Sequence, residues 1–158
     1  MFNWDAGGNG RLVAVNGDAD VIKTGQVVYA SRVAGVLTAY KIASTGDLAD
    51  AKNVGIAYVD PTTQSRETFV SDSVTSAEYE EVAVAGNLVV IQGTNIQGMT
   101  NQLEDGNYKV GDDLEINTDN ATLQLYSAGT KVGKVDSPGI VTTKDKSIRV
   151  WLSIGNPG

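Results

Sequence analysis

Apolar and polar residues alternate along much of this chain at the two-residue period of half-buried strands. The clearest case is residues 147–154, where Ile148, Val150, Leu152 and Ile154 fall on one face and Arg149, Trp151 and Ser153 on the other. Residues 114–118 and 122–126 alternate in the same way. Asp119-Asn120 between them tolerate left-handed backbone, which predicts a hairpin. Val82-Ala83-Val84 and residues 87–92 predict a second hairpin around Ala85-Gly86. Asp60-Pro61 and Pro138-Gly139 fall between apolar runs, where proline removes no ladder hydrogen bond. Helical periodicity is confined to 45–53 and 74–81, each long enough for a turn or two. The pattern predicts an all-β fold, a compact small β-barrel or β-sandwich.

Glycine sharpens this picture. The chain has 18 glycines in 158 residues, above the usual share of about 7%, and they sit mostly at the ends of apolar runs. The beginning differs from the rest. Phe2 and Trp4 precede Gly7-Gly8-Asn9-Gly10, and Asn16-Gly17-Asp18-Ala19-Asp20 follows one short apolar run. Two large aromatics on a Gly-rich leader fit either a terminal strand on the core or an arm that orders against another subunit. We divide the chain into an N-terminal arm, residues 1–20, and a single β domain, residues 21–158. Phe2, Trp4 and Arg11 are the candidate capsid or subunit contacts of the arm, which is expected to reach a neighbour as an added edge strand.

The β domain carries an internal echo. Gly25-Gln26-Val27-Val28 matches Gly111-Asp112-Asp113-Leu114 in texture, and Gly35-Val36-Leu37 matches Ala121-Thr122-Leu123, both 86 residues apart. Residues 53–60 match 131–136 at a shift of 78. A duplication over about 21–70 and 107–154, with an extra loop near 45–51, accounts for the difference in shift.

Charge and side-chain inventory narrow the chemistry. With 12 Lys+Arg against 19 Asp+Glu the net charge is −7, which argues against a nucleic-acid partner. Without cysteine there is no disulfide or thiolate site, and without histidine the commonest general base is missing. A serine nucleophile would then need Lys or a carboxylate as its base, yet neither G-x-S-x-G nor S-x-x-K occurs. Asp136-Ser137-Pro138-Gly139 departs from the aspartic-protease motif, and Glu78, Glu80 and Glu81 read as a solvated acidic loop rather than a carboxylate pair for glycoside cleavage. The pairs Asp18/Asp20 and Asp112/Asp113 lack the spacing of a calcium loop, and residues 8–10 lack the Lys-Ser/Thr of a phosphate cradle. Asn120-Ala121-Thr122 is a formal glycosylation acceptor without a secretory signal ahead of it. Tyr29, Tyr40, Tyr58 and Tyr126 lie in or beside predicted strands and read as packing aromatics rather than a sugar-binding face. No catalytic residue, cofactor or metal is therefore expected. A membrane partner is not expected either, because the apolar runs fall far short of the roughly 20 residues that span a bilayer.

Taken in order, several of these segments resemble the tailed-phage head decoration, or capsid cement, proteins. They are Gly25-Gln26-Val27-Val28, Gly35-Val36-Leu37-Thr38, residues 53–59, Ala85-Gly86-Asn87-Leu88, residues 108–114, Val132-Gly133-Lys134-Val135 and residues 148–152. The spacer at 45–51 and the acidic stretch at 78–81 have no counterpart in that pattern. The resemblance implies a non-enzymatic virion protein, made in the host cytoplasm, that binds the outside of an assembled head and clamps neighbouring major capsid subunits as a homotrimer. The alternative is a carbohydrate- or receptor-binding β module, and a carboxylate-only hydrolase is the enzyme rival.

Overall fold

The computed structural model describes residues 11–44, 47, 53–59, 65–70, 77–92, 96–136, 140–142 and 148–152. The first group of strands is β1 (Arg11–Asn16), β2 (Ile22–Lys23), β3 (Val27–Val33), β4 (Val36–Lys41), β5 (Gly55–Tyr58), β6 (Ser65–Val70), β7 (Ala77–Ala83) and β8 (Leu88–Gln92). The second is β9 (Ile96–Thr100), β10 (Gly106–Tyr108), β11 (Asp113–Asn117), β12 (Thr122–Leu125), β13 (Gly133–Val135), β14 (Ile140–Thr142) and β15 (Ile148–Leu152). The fold is all-β.

In the first unit β1, β4, β3, β5 and β8 form a closed barrel in that order. Closure comes from the parallel pairing of β1 with β4, which sets Val15 opposite Thr38. Five strands enclose too narrow a space for layers of large side chains. The cluster at this core is correspondingly rich in small residues: Ala14, Ala30, Ala39, Ala57 and Ala83 pack with Leu12, Val28, Val89 and Ile91. A side ribbon of β2, β7 and β6 stands beside it.

The second unit has the same strand order, β12-β11-β13-β15-β9. Hairpin β11–β12 takes the place of β3–β4, β13 lies on β11 as β5 lies on β3, and β9 lies on β15 as β1 lies on β8. The register of β13 on β11 matches that of β5 on β3, whereas the hairpin register differs by two residues. Val28 pairs with Gly55, and Leu114 pairs with Gly133; the second pair is the first shifted by 86 and 78 residues. A parallel bridge between Leu103 and Leu123 brings the two edges of this sheet together, and β10 with β14 forms its ribbon.

Two glycines explain why the sequence echo is strongest at 55 and 133. A Cβ on Gly55 would lie 2.4 Å from the Gln92 carbonyl oxygen, and one on Gly133 would lie 2.5 Å from that of Trp151. Neighbouring backbone fills the side-chain position in both cases, so only glycine fits.

One hydrophobic core runs across both units. Val27, Ile42, Val54 and Ile56 of the first cluster with Leu103, Tyr108, Leu114, Leu123, Val135, Ile148 and Val150 of the second. The Val27 amide donates to the Ala121 carbonyl at 2.7 Å, and the Thr100 hydroxyl to the Gly25 carbonyl at 3.3 Å.

Several sequence expectations are revised. Of the residues of the second expected hairpin, 82–83 and 88–92 enter strands, but β7 and β8 do not pair: β7 pairs with β2 and β6, whereas β8 lies between β1 and β5. Strand β7 also takes most of 74–81, where helical spacing was noted, because six residue pairs join it to β6. The other helical candidate, 45–53, lies outside the described residues apart from Asp47 and Asn53. Residues 11–20 of the expected arm are built into the barrel. β1 occupies 11–16, the Asn16 side chain donates to the Asp20 and Ala83 carbonyls, and Asp18 accepts from the Lys41 amide.

Candidate interaction surface

Directly opposed residues on adjacent strands project to the same side of a sheet. In the second unit this places Asp113 beside Lys134, Lys134 beside Trp151, and Trp151 beside Gln97. Tyr126 extends the row at its far end, its amide donating to the Asp113 carbonyl at 2.9 Å. The row thus crosses four strands and the residue that follows β12. Trp151 keeps 46% of its surface exposed and Tyr126 40%. Alternation positions them: Ile148, Val150 and Leu152 turn inward, so Arg149 and Trp151 must turn out.

The polar members hold one another in place. The Asp113 carboxylate takes Lys134 at 2.6 Å on one oxygen and Lys131 at 2.8 Å on the other. Those two hydrogen bonds hold the Asp113 carboxyl below its usual range, and Asp113 in turn raises Lys131. The Lys131 ammonium also sits 4.9 Å from the Tyr126 ring centroid, a cation–π contact. At the other end the Gln97 amide donates to the Asp136 carboxylate.

Two residues from Asp113 along β11, on the same side of the sheet, Glu115 anchors the loop between Tyr126 and Lys131. The residue is only 5% exposed, and its carboxylate accepts from the Gln124 side chain at 2.7 Å and the Ser127 hydroxyl at 3.1 Å. It also accepts from the amides of Ser127, Ala128 and Gly129 at 3.2, 3.2 and 2.7 Å. Burial pushes its carboxyl up, but the bonds from Gln124, Gly129, Ser127 and Ala128 outweigh that and bring it down to about 2.

Of the contact residues expected from sequence, Phe2 and Trp4 lie outside the described residues. Arg11 opens β1 opposite Gln92 and is not brought near the row of the second unit by any pairing. Glu78, Glu80 and Glu81 belong to β7 rather than to a loop. Asp18 accepts a backbone amide, Asp20 meets Lys41 at 3.4 Å, and Asp112 accepts the Lys109 amide. Tyr29 and Tyr40 pack with ring centroids 5.7 Å apart. Tyr58 and Tyr126 are instead exposed, so the packing reading does not hold for these two. A cleft of about 430 Å³ between the units is lined by Thr24, Ile56, Tyr58, Gln92, Thr100 and Leu152 among others. Among the described residues no group of three acidic side chains is placed to hold a metal, and no helix is long and apolar enough to cross a membrane.

No family model matches this chain, and no curated protein matches it. Among solved structures it is similar to the head fiber gp8.5 N base of bacteriophage phi29, at 8% identity and a TM-score of 0.49, over 90% of this chain and 94% of that one.

Proposed function

We propose that this chain is a non-enzymatic structural protein of a tailed-phage virion that binds the outer surface of the head and clamps neighbouring major capsid subunits. The sequence resemblance to head decoration proteins supports this. The observation that carries it is the use of the acidic groups: Asp18, Asp20, Asp112, Asp113 and Glu115 each hold backbone amides or lysines, the work of a scaffold. A core shared by the barrel and the second sheet supports it further, since a body that is rigid before docking loses less entropy on binding. We read the two units as copies of one module, on the strength of their common strand order and the shared register of β5 on β3 and of β13 on β11.

Clamping works by linkage: a ligand that binds only the assembled lattice stabilises it by mass action, and many equivalent sites multiply the effect. In this proposal the protein is made in the host cytoplasm and acts as a homotrimer on the head surface. Its N-terminal segment, now confined to residues 1–10 with Phe2 and Trp4, reaches the major capsid protein or a neighbouring copy. Co-sedimentation of the full chain with undecorated heads tests the reading. Near-stoichiometric occupancy and a higher rupture temperature of the decorated heads are expected. Equal rupture thresholds with and without the protein overturn it.

A further inference from the structure

By strand register the row Tyr126–Asp113–Lys134–Trp151–Gln97 corresponds to Ile42, Val27, Ile56, Gln92 and Arg11 of the first unit, and the comparison isolates what is unusual about it. Asp113 corresponds to Val27 and Lys134 to Ile56 at the same shifts of 86 and 78 residues. Val27 and Ile56 are buried in the core shared by the two units. On the same side of the second unit Tyr126 and Trp151 are exposed instead. That side carries these aromatics where its counterpart has Ile42 and Gln92, and the Asp113–Lys134 ion pair where its counterpart has Val27 and Ile56.

We propose that this row is a binding platform for a neutral polysaccharide. An exposed indole and an exposed phenol, each flanked by hydrogen-bonding groups, suit a ligand with apolar ring faces and polar edges. Sugar rings have both. Strands lie about 4.8 Å apart, so Tyr126 and Trp151, three strands apart, are separated by about 14 Å along the sheet. That spacing fits an extended chain of sugar residues lying across the strands rather than one sugar in a pocket.

The charge balance selects a neutral ligand over an anionic one. Lys131 and Lys134 share the Asp113 carboxylate, and Asp136, held by the neutral Gln97, supplies a second, so two lysines face two carboxylates and the row presents donors and acceptors rather than excess cation. A phosphate or nucleic-acid site needs uncompensated lysine and arginine. Hydroxyl groups both donate and accept, and a row offering carboxylate, ammonium and amide in turn satisfies them in either sense. Because these side chains already hold one another, little rotamer freedom remains to be lost on binding.

Affinity electrophoresis of the full chain in gels containing dextran, soluble starch, galactomannan or hydroxyethyl cellulose tests the proposal. Retardation in at least one gel is expected. Trp151→Ala should weaken it tenfold or more and Tyr126→Ala severalfold. Tyr58→Ala removes a comparably exposed tyrosine from the first unit and should leave retardation unchanged. Circular dichroism confirms that each variant is folded. Absence of retardation in all four gels overturns the proposal, as does equal retardation of the wild type and folded Trp151→Ala. If Trp151→Ala instead abolishes head binding while no gel retards the wild type, the row is a protein interface and the proposal fails.

Discussion

Replacing Glu115 with Gln keeps the size of the side chain and removes its charge. In the native protein the two carboxylate oxygens accept five hydrogen bonds, three of them from successive backbone amides of the 127–129 loop. A glutamine has one accepting oxygen and turns an NH₂ group toward donors that it cannot satisfy. The carboxyl lies at about 2 rather than its ordinary 4.5, a difference worth at most about 3 kcal/mol. Because the loop above it is exposed, we take about 2 kcal/mol after solvent screening. For a chain of this size that corresponds to a fall in Tm of about 4–8 °C at pH 7.

The pH dependence follows from the direction of the shift. A carboxyl held below its unfolded value contributes its full stability above about 4.5, and loses it as pH falls toward about 2. Protonated Glu115 then resembles glutamine. The Tm gap between wild type and Glu115→Gln should therefore be constant from pH 7 to 5, narrow between 4.5 and 2, and close near pH 2. Thermal melts of both proteins across that range give the gap directly, and the other carboxylates, common to both, largely cancel. A gap that stays constant down to pH 2.5, or no gap at pH 7, refutes the argument that charge on Glu115 holds the loop.

Gly133→Ala forces a Cβ against the Trp151 carbonyl and should cost about 2 kcal/mol or more. Gly98→Ala, which meets nothing within 4 Å, should stay within about 0.5 kcal/mol of wild type in denaturant melts. Ala34 and Gly35 both have positive φ in the β3–β4 turn. Asparagine tolerates that conformation better than alanine, so Ala34→Asn should stabilise by about 0.5 kcal/mol, seen as a raised Tm. Ile56→Ala removes a buried side chain from the core common to both units and should cost about 3 kcal/mol. Faster amide exchange in β15, on the other unit, would show that the two unfold together; exchange unchanged there would show that they do not.

How much of this was legible in the sequence depended on whether neighbours in space were neighbours in the chain. The β11–β12 hairpin and the two faces of β15 follow from local alternation and turn residues, and both stand as read. The pairing of β8 did not follow, because Ala85-Gly86 marks a turn but barrel closure decides the partners. That turn is tied instead to β1, through bonds between Gly86 and Asn16 and between Asn16 and Asn87. The exposed row was illegible for the same reason, since its residues come from four separate strands and the end of a fifth; the outward phase of Trp151 was the one local hint. Glu115 looked like an ordinary solvent-facing position of an alternating strand. It is buried because its own downstream loop folds back over it, which no periodicity records.

Closure has a consequence for how the molecule behaves in a crowd. A sheet edge is a row of unpaired amides and carbonyls that recruits other strands. The β1–β4 pairing removes both edges of the first sheet, and the Leu103–Leu123 bridge narrows the opening in the second. Copies packed side by side at high local concentration therefore have few places to zip together through their backbones. Among the described strands the edges that remain are β2 and β6 of one ribbon, the short β10–β14 pair, and the stretches of β9 and β12 beyond that bridge. An extended peptide seeking to add itself as a strand would have to dock there, and partners elsewhere on the two units must be recognised through side chains.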